Sequence, residues 1–329
     1  MTDSKPIHVV AAALFNDAGH VFIARRHEHA HQGGLWEFPG GKVEADETVR
    51  EALDRELHEE IGIEVQQARP LIRVRYDYPD KSVLLDVWRV DSFHGEAHGR
   101  EGQPCQWVGP EQLTDYDFPA ANRPIIAAVR LPDHYLVTPD PGADLPAFVT
   151  HLENRLRDGI RLVQLRAKSL SVEAYTVLAR QCVELCQHYG ARLMLNAAPE
   201  LVTVVGAHGV HLDSSRLQAL TEQPFAWQQG GEHGANEKWV SASCHSAQQL
   251  AQAEALGADF VLLSPVAATA SHPEVEPLGW ERFQQLADAT ACPVFALGGM
   301  TLRDLDQAFA HGAQGVAAIR ALWESGAQR

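Results

Sequence analysis

Three acidic side chains dominate the chemistry open to this sequence. Glu56, Glu59 and Glu60 lie in Arg55-Glu56-Leu57-His58-Glu59-Glu60-Ile61-Gly62, and on a helix residues three and four apart share a face. Three carboxylates on one face repel, which is costly unless a cation sits among them. Hard oxygen donors at this flexible spacing favour Mg²⁺ or Mn²⁺ over zinc. Arg55 is placed to pair with one acid and orient it. Upstream, Pro39 stiffens the approach while Gly40 and Gly41 allow a tight turn, from which the Gly40 carbonyl can reach a metal. A solvated acidic helix face would show the same spacing, so the residues alone leave both readings open.

The elements that would carry these groups can be read from the surrounding pattern. Thr48 to Ile61 has helical periodicity and ends at Gly62, a suitable C-cap. Strand-like runs cover Val9 to Phe15, Val21 to Ala24, Leu71 to Tyr76, Val83 to Val90 and Gln106 to Val108, with a hairpin turn at Asn16 to Gly19. A last helix is expected over Ala120 to Arg130, before Pro132. From His134 onward, strands alternate with helical segments. The strands are expected at Tyr135–Thr138, Leu162–Leu165, Leu193–Asn196, Gly209–Leu212, Val240–Ser243, Phe260–Ser264, Val294–Leu297 and Gly315–Ile319. Eight units of this kind make a (β/α)₈ barrel. Residues 228–236, rich in Gly, Gln and Asn, read as a surface insertion. The domains are therefore expected at 1–131 and 132–329.

Composition narrows the partners. With 329 residues and a net charge of −16, the chain lacks the general attraction for a polyphosphate backbone that a nonspecific nucleic-acid coat requires. A small anion can still bind where local groups or metal ions reverse the field. Five scattered Cys without a C-x-x-C argue against a disulfide framework or zinc knuckle, and Cys182 and Cys186 read as buried thiols on one helix face. The first residues have no signal architecture, and Val9 to Phe15 is too short to span a bilayer. A cytoplasmic, membrane-free protein is expected; the oligomeric state is not legible.

Gly41, Glu47, Arg55, Glu56, Glu59, Glu60 and Gly62, with Leu57 and Ile63 at apolar positions, match the whole Nudix box. Residues 5–131 resemble that family. The resemblance implies an α/β/α sandwich that hydrolyses nucleoside diphosphates linked to another moiety with divalent metals. It makes Glu56, Glu59, Glu60 and the Gly40 carbonyl the metal ligands, and has Glu47 and Arg55 hold loop and helix in place. Arg25-Arg26, Leu35 to Lys42, Gly99 to Pro104 and Phe118 to Asn122 look like MutT-type enzymes that destroy 8-oxo-dGTP. Glu101, in a Gly-flanked loop, can then reach a second metal or accept a proton from water. Asn122 carries both donor and acceptor for an oxidised purine edge, Phe38 a flat face, and Arg26 a cation for phosphate or base. Lys42, and less directly Lys81, can offset charge on phosphate. Core packing for Phe38, a helix N-cap for Asn122 and a solvated surface for Lys81 are the plainer alternatives.

In the second half, Gln164 and Arg166 fall on one side of a strand, with Lys168 at its C-terminal edge, where barrel sites form. Gly298-Gly299 and Arg320 follow the two strands of the usual phosphate corner. Asn196, His211, Ser243 and His245 lie at or near strand ends. Tyr135 to Thr138, Gln164 to Lys168, Gly209 to Leu212, Gly257-Ala258-Asp259 and Gly298-Gly299 together resemble the thiamine phosphate synthase and thiazole tautomerase (TenI) superfamily. This sequence departs from the synthases in three places. Ala197 follows Asn196 where they have a metal-binding Asp, Arg216 replaces a second acidic ligand, and Thr269-Ala270-Ser271-His272 lacks their Lys. The resemblance thus implies a degenerate synthase barrel with residual binding of a thiamine-related phosphate. Two alternatives stand beside it. One is a bifunctional thiamine-pathway enzyme whose Nudix half cleaves pathway pyrophosphates. The other is a non-catalytic sensing or dimerising barrel.

Overall fold

Thr48 sets the start of the helix that carries the acids. Its hydroxyl accepts from Glu51 N–H (3.2 Å), and the Glu51 carboxylate accepts from Thr48 N–H (2.8 Å), a reciprocal capping box. The helix, α1 (Val49–Ile61), buries Ala52, Leu53, Leu57 and Ile61 and stops at Gly62, whose φ of 75° closes it in a left-handed cap. Its apolar stripe packs on Val10, Ala12 and Leu14, which fixes the opposite stripe, the acidic one, away from the core.

The computed structural model describes residues 6–29, 32–220, 225, 238–269 and 274–324. The chain forms two compact units, the first ending at Arg130 and the second beginning at Leu131. In the first, β1 (Ile7–Leu14), β2 (Val21–Arg25), β3 (Trp36–Glu37) and β4 (Gly40–Lys42) precede α1. After it come β5 (Glu64–Asp77), β6 (Ser82–His94), β7 (Cys105–Val108) and α2 (Arg123–Arg130). One sheet runs β4-β1-β6-β5 and a smaller one β3-β2-β7. β1 lies parallel to β6 and antiparallel to β4, with Val10 opposite Gly41.

Three features depart from the sequence pattern. β3 and β4 are too short and too Gly- and Pro-bounded to show periodicity; their pairing with β2 and β1 makes them strands. β5 extends well before Leu71, with register shifts near Gln67 and Pro70 that absorb polar residues and a proline. The last helix starts as a 3₁₀ turn at Ala120–Asn122 and becomes α-helical only from Arg123.

The second unit is a closed barrel of eight parallel strands: β8 (His134–Val137), β9 (Leu162–Leu165), β10 (Arg192–Leu195), β11 (Gly209–Leu212), β12 (Trp239–Cys244), β13 (Phe260–Leu263), β14 (Val294–Leu297) and β15 (Gly315–Ala318). This is the (β/α)₈ architecture expected from the alternating pattern. Tyr135, Leu162, Met194, Trp239, Phe260 and Phe295 fill its interior. Leu, Val and Cys side chains, Cys182 and Cys186 among them, form the layer between strands and helices. The expected insertion at residues 228–236 lies outside the described residues. Among the described residues no helix is long and apolar enough to cross a membrane.

Removing the α1 cap tests how far the acidic stripe depends on it. Thr48→Ala should destabilise the first unit by about 1 kcal/mol, read as a lower denaturant midpoint with an unchanged slope. An unchanged midpoint would show that tertiary packing alone holds the helix start.

Candidate active site

The acidic stripe is organised by Arg55. Its guanidinium grips Glu47 with two bonds, Nε to Oε2 (3.1 Å) and Nη2 to Oε1 (2.6 Å), and Nη2 also donates to the Lys42 carbonyl (3.0 Å). Nη1 donates to Glu56 Oε1 (2.9 Å) and more loosely to Glu59 Oε2 (3.4 Å). One fork thus ties the loop before the helix to two acids on its face. Glu47 in turn accepts from Glu44 N–H (2.7 Å), which closes the loop on itself.

Glu60 lies deeper. Burial, the largest influence, pushes its carboxyl up to about 7; the Gly40 N–H, donating at 2.8 Å, opposes this, while Glu37, Glu56 and Glu101 add like charge. Four carboxylates therefore share one electrostatic neighbourhood. Gly41 makes room for it: a Cβ there would fall 2.2 Å from the Glu56 carboxyl carbon, and one on Gly40, at φ 148°, 2.2 Å from the Val10 carbonyl. Among the described residues no three His, Cys, Asp or Glu side chains close into a finished metal cage. Arg55 bonds both Glu56 and Glu59. The donor set is nonetheless all hard oxygen, crowded and short of positive charge, and it fits a hard divalent cation.

The other expected nucleotide residues are distributed unevenly. Arg26 Nη1 pairs with Glu37 Oε2 at 2.5 Å. Glu101 is 66% exposed in its loop, 3.6 Å from His27 Nε2. Phe38 requires a correction: it is only 4% exposed and stacks on Phe118 at 5.4 Å between centroids, so its ring is spent on packing and offers no base a free face. Asn122 is 9% exposed, and among the described residues its amide has no partner and does not cap the helix. Lys42 is exposed and meets the site through its carbonyl; Lys81 is half-buried at the β5–β6 turn, where its carbonyl accepts from Tyr78 N–H (2.8 Å).

Two residues were missed by sequence reasoning. Glu37, whose carboxyl burial raises while Arg26 and His27 lower it, links the arginine to the acid cluster. Its only signal was a charge set between Trp36 and Phe38. Tyr78 accepts from the Ala121 N–H beside Asn122 and lies near Arg26; nothing in its local sequence marks it.

At the C-terminal end of the barrel, Arg216 Nη1 donates to Asn196 Oδ1 (2.8 Å) and to Asp213 Oδ2 (3.2 Å). Arg166 is anchored by its backbone to the Thr138 hydroxyl (2.9 Å), and Lys168 is exposed just beyond. His245 bonds the Ser264 carbonyl (2.8 Å) and the Ser214 hydroxyl (2.9 Å). Gln164, on β9, is buried inside the barrel, where its Nε2 donates to the Tyr135 hydroxyl (3.4 Å). Gly298 and Gly299 both have positive φ and lie against the loop after β13, where a Cβ on Gly298 would come 2.7 Å from Pro265. Arg320 is exposed at the start of the final short helix. Ser271 and His272 lie outside the described residues.

Residues 10–128 match the NUDIX domain family, and residues 134–322 match the family described as thiamine monophosphate synthase. The 8-oxo-dGTP diphosphatase of Escherichia coli K12 is 39% identical over 126 residues, 38% of this chain and 98% of that protein. The CTP pyrophosphohydrolase of the same organism is 40% identical over 124 residues, 38% of this chain and 91% of that protein. A putative thiamine-phosphate synthase 2 of Aquifex aeolicus is 36% identical over 172 residues, 52% of this chain and 88% of that protein.

Two measurements probe this geometry. Gly41→Ala should force the Glu56 carboxylate off the strand and weaken Mn²⁺ binding, followed by electron paramagnetic resonance, by roughly tenfold; unchanged affinity would remove Gly41 from the site. In the barrel, burial holds His211 neutral, with its protonation pushed down to about 3 from 6.5. Its stabilising contribution is thus complete above 6.5 and lost as pH falls toward 3. His211→Gln should therefore shrink the drop in urea midpoint of the barrel between about pH 7.5 and about pH 4.5; an equal drop in both proteins would contradict it.

Proposed function

Because this chain belongs to the Nudix family over residues 10–128 and to the thiamine monophosphate synthase family over residues 134–322, we propose that it is a nucleotide pyrophosphohydrolase. The substrate favoured is an oxidised purine nucleoside triphosphate, 8-oxo-dGTP, cleaved to the monophosphate and pyrophosphate in the cytoplasm, so that the damaged nucleotide is kept out of DNA synthesis. One observation carries the reading: Glu56 and Glu59 are gripped by Arg55 beside the start of β4, where the Gly40 N–H receives Glu60.

Glu56, Glu59, Glu60 and the Gly40 carbonyl would hold Mg²⁺ or Mn²⁺, with Glu101 available to a second ion. When bound, such a cation supplies positive charge for the phosphate oxygens and a more acidic water. The chain's own groups do the rest. Glu56 and Glu101 are the carboxylates able to take a proton from the attacking water. Glu47 and Arg55 keep Glu56 oriented, and Lys42 offsets charge that develops on phosphate. Arg26 and Asn122 face the nucleotide, and the uncommitted amide of Asn122 suits the donor and acceptor edge of an oxidised purine. A chain of net charge −16 favours a substrate that arrives complexed with its cation.

A specific observation favours a second, separate role for the barrel. Lys168, Arg166 and Arg216 stand at one end of it, and Arg216 sits bonded to Asn196 and Asp213. We infer that this end binds an organic phosphate, thiamine-related compounds being the first to try, and that it does not make thiamine phosphate.

A substrate panel tests the main reading. Hydrolysis of 8-oxo-dGTP should exceed that of dGTP, CTP and hydroxymethylpyrimidine diphosphate in kcat/KM. Glu56→Gln should lower kcat for 8-oxo-dGTP by roughly 100-fold or more with an unchanged melting temperature. Preference for hydroxymethylpyrimidine diphosphate would transfer the hydrolase to thiamine chemistry, and full activity in Glu56→Gln would remove the acidic stripe from catalysis.

A further inference from the structure

The outer layer of the barrel carries a feature that neither the acidic stripe nor the strand ends account for. Helices α3 (Leu145–Arg157) and α4 (Val172–His188) lie side by side in it. Between them runs an open groove of about 610 Å³, lined by Leu145, Val149, Val177, Leu178 and Leu185 among others. Toward the barrel, α4 buries Tyr175, Leu178, Ala179, Cys182, Val183 and Cys186, the stripe expected of a helix packed on a sheet. Val177 stands outside that stripe and is 60% exposed. Leu185 is half-buried two turns further on, with exposed Gln181 midway between the two.

The charges around this row are spaced symmetrically. Arg180 and Glu184 are exposed, and among the described residues neither has a partner. Further out, Glu173 is exposed in the first turn of α4 and His188 in the last. At 1.5 Å of rise per residue, the pairs Glu173 and His188, Val177 and Leu185, and Arg180 and Glu184 have midpoints within about 2 Å of one another, all close to Gln181. An antiparallel copy of α4 laid across Gln181 therefore sets base against acid and apolar against apolar at each level, twice over. A parallel copy at the same level would set Arg180 against Arg180 and Glu184 against Glu184. The helix is complementary to itself in one direction only.

We propose that this groove is a self-association surface, and that a second copy of this chain docks there through its own α4, about a two-fold axis passing near Gln181. A contact of that symmetry needs one surface only, matched to itself. Two chains of net charge −16 repel at long range. The attraction therefore comes from the apolar groove, where Leu145 and Val149 on α3 wall in the Val177 of the second copy. Arg180 and Glu184 choose the direction of docking.

The full-length chain tests this by charge reversal. Sedimentation equilibrium should show a dimer. Arg180→Glu should raise its dissociation constant by roughly tenfold or more, with an unchanged far-ultraviolet circular dichroism spectrum and unchanged nucleotide hydrolysis per chain. The double variant Arg180→Glu with Glu184→Arg restores both pairs with their signs exchanged and should dimerise again. On mild oxidation, Gln181→Cys should cross-link to itself beyond the level of the parent chain. A monomer at millimolar concentration, a dimer indifferent to Arg180→Glu, a double variant that stays apart, or Gln181→Cys copies that do not cross-link would each overturn the proposal.

Discussion

Like charges gathered on one helical stripe are the constraint around which the first unit is arranged. Carboxylates at positions 56, 59 and 60 raise the free energy of α1 unless something positive or polar meets them. The chain answers with Arg55 and with the Gly40 N–H. Arg55 is shared among Glu47, Glu56 and Glu59, and so the loop 42–47 and the helix cannot move independently. The same sharing holds Glu56 and Glu59 to one guanidinium nitrogen. Gly41 completes the arrangement by letting β4 come close enough to α1 for Glu56 to lie against it, while Gly40 lets the same strand pass the Val10 carbonyl.

The barrel solves a different electrostatic problem in a different way. Its charged groups stay at the rim, paired as Arg216 is with Asp213, while its inner polar groups are neutral and bonded to one another. Buried polar groups are tolerated when each finds a partner. Gln164, Tyr135, Ser241 and His211 meet that condition, each hydrogen-bonded to the next inside the barrel.

Much of this was legible in sequence because it is local. The 3.6-residue period of Ala52, Leu53, Leu57 and Ile61, the Thr48 cap and the Gly62 stop define α1 without help from the rest of the chain. The eight barrel strands announce themselves as short apolar runs. What escaped depends on distant partners. Phe38 is a core residue because Phe118 lies over it. Trp36–Glu37 and Gly40–Lys42 are strands only because β2 and β1 pair with them. Gln164 shares no local signal with Tyr135 or Ser241, since three separate strands bring them together. Glu37 has no local signal beyond a charge between two aromatic residues, and only the fold shows its burial beside Arg26 and the acid cluster.

The packed interior of the barrel has one more consequence. Tyr135, Trp239, Phe260 and Phe295 touch one another across its axis, and Gly209 is bare because Met194 and the Trp239 backbone leave no space for a side chain. The cylinder is stoppered. A molecule that reaches the C-terminal end of the barrel therefore cannot have travelled along its axis, and cannot leave that way either.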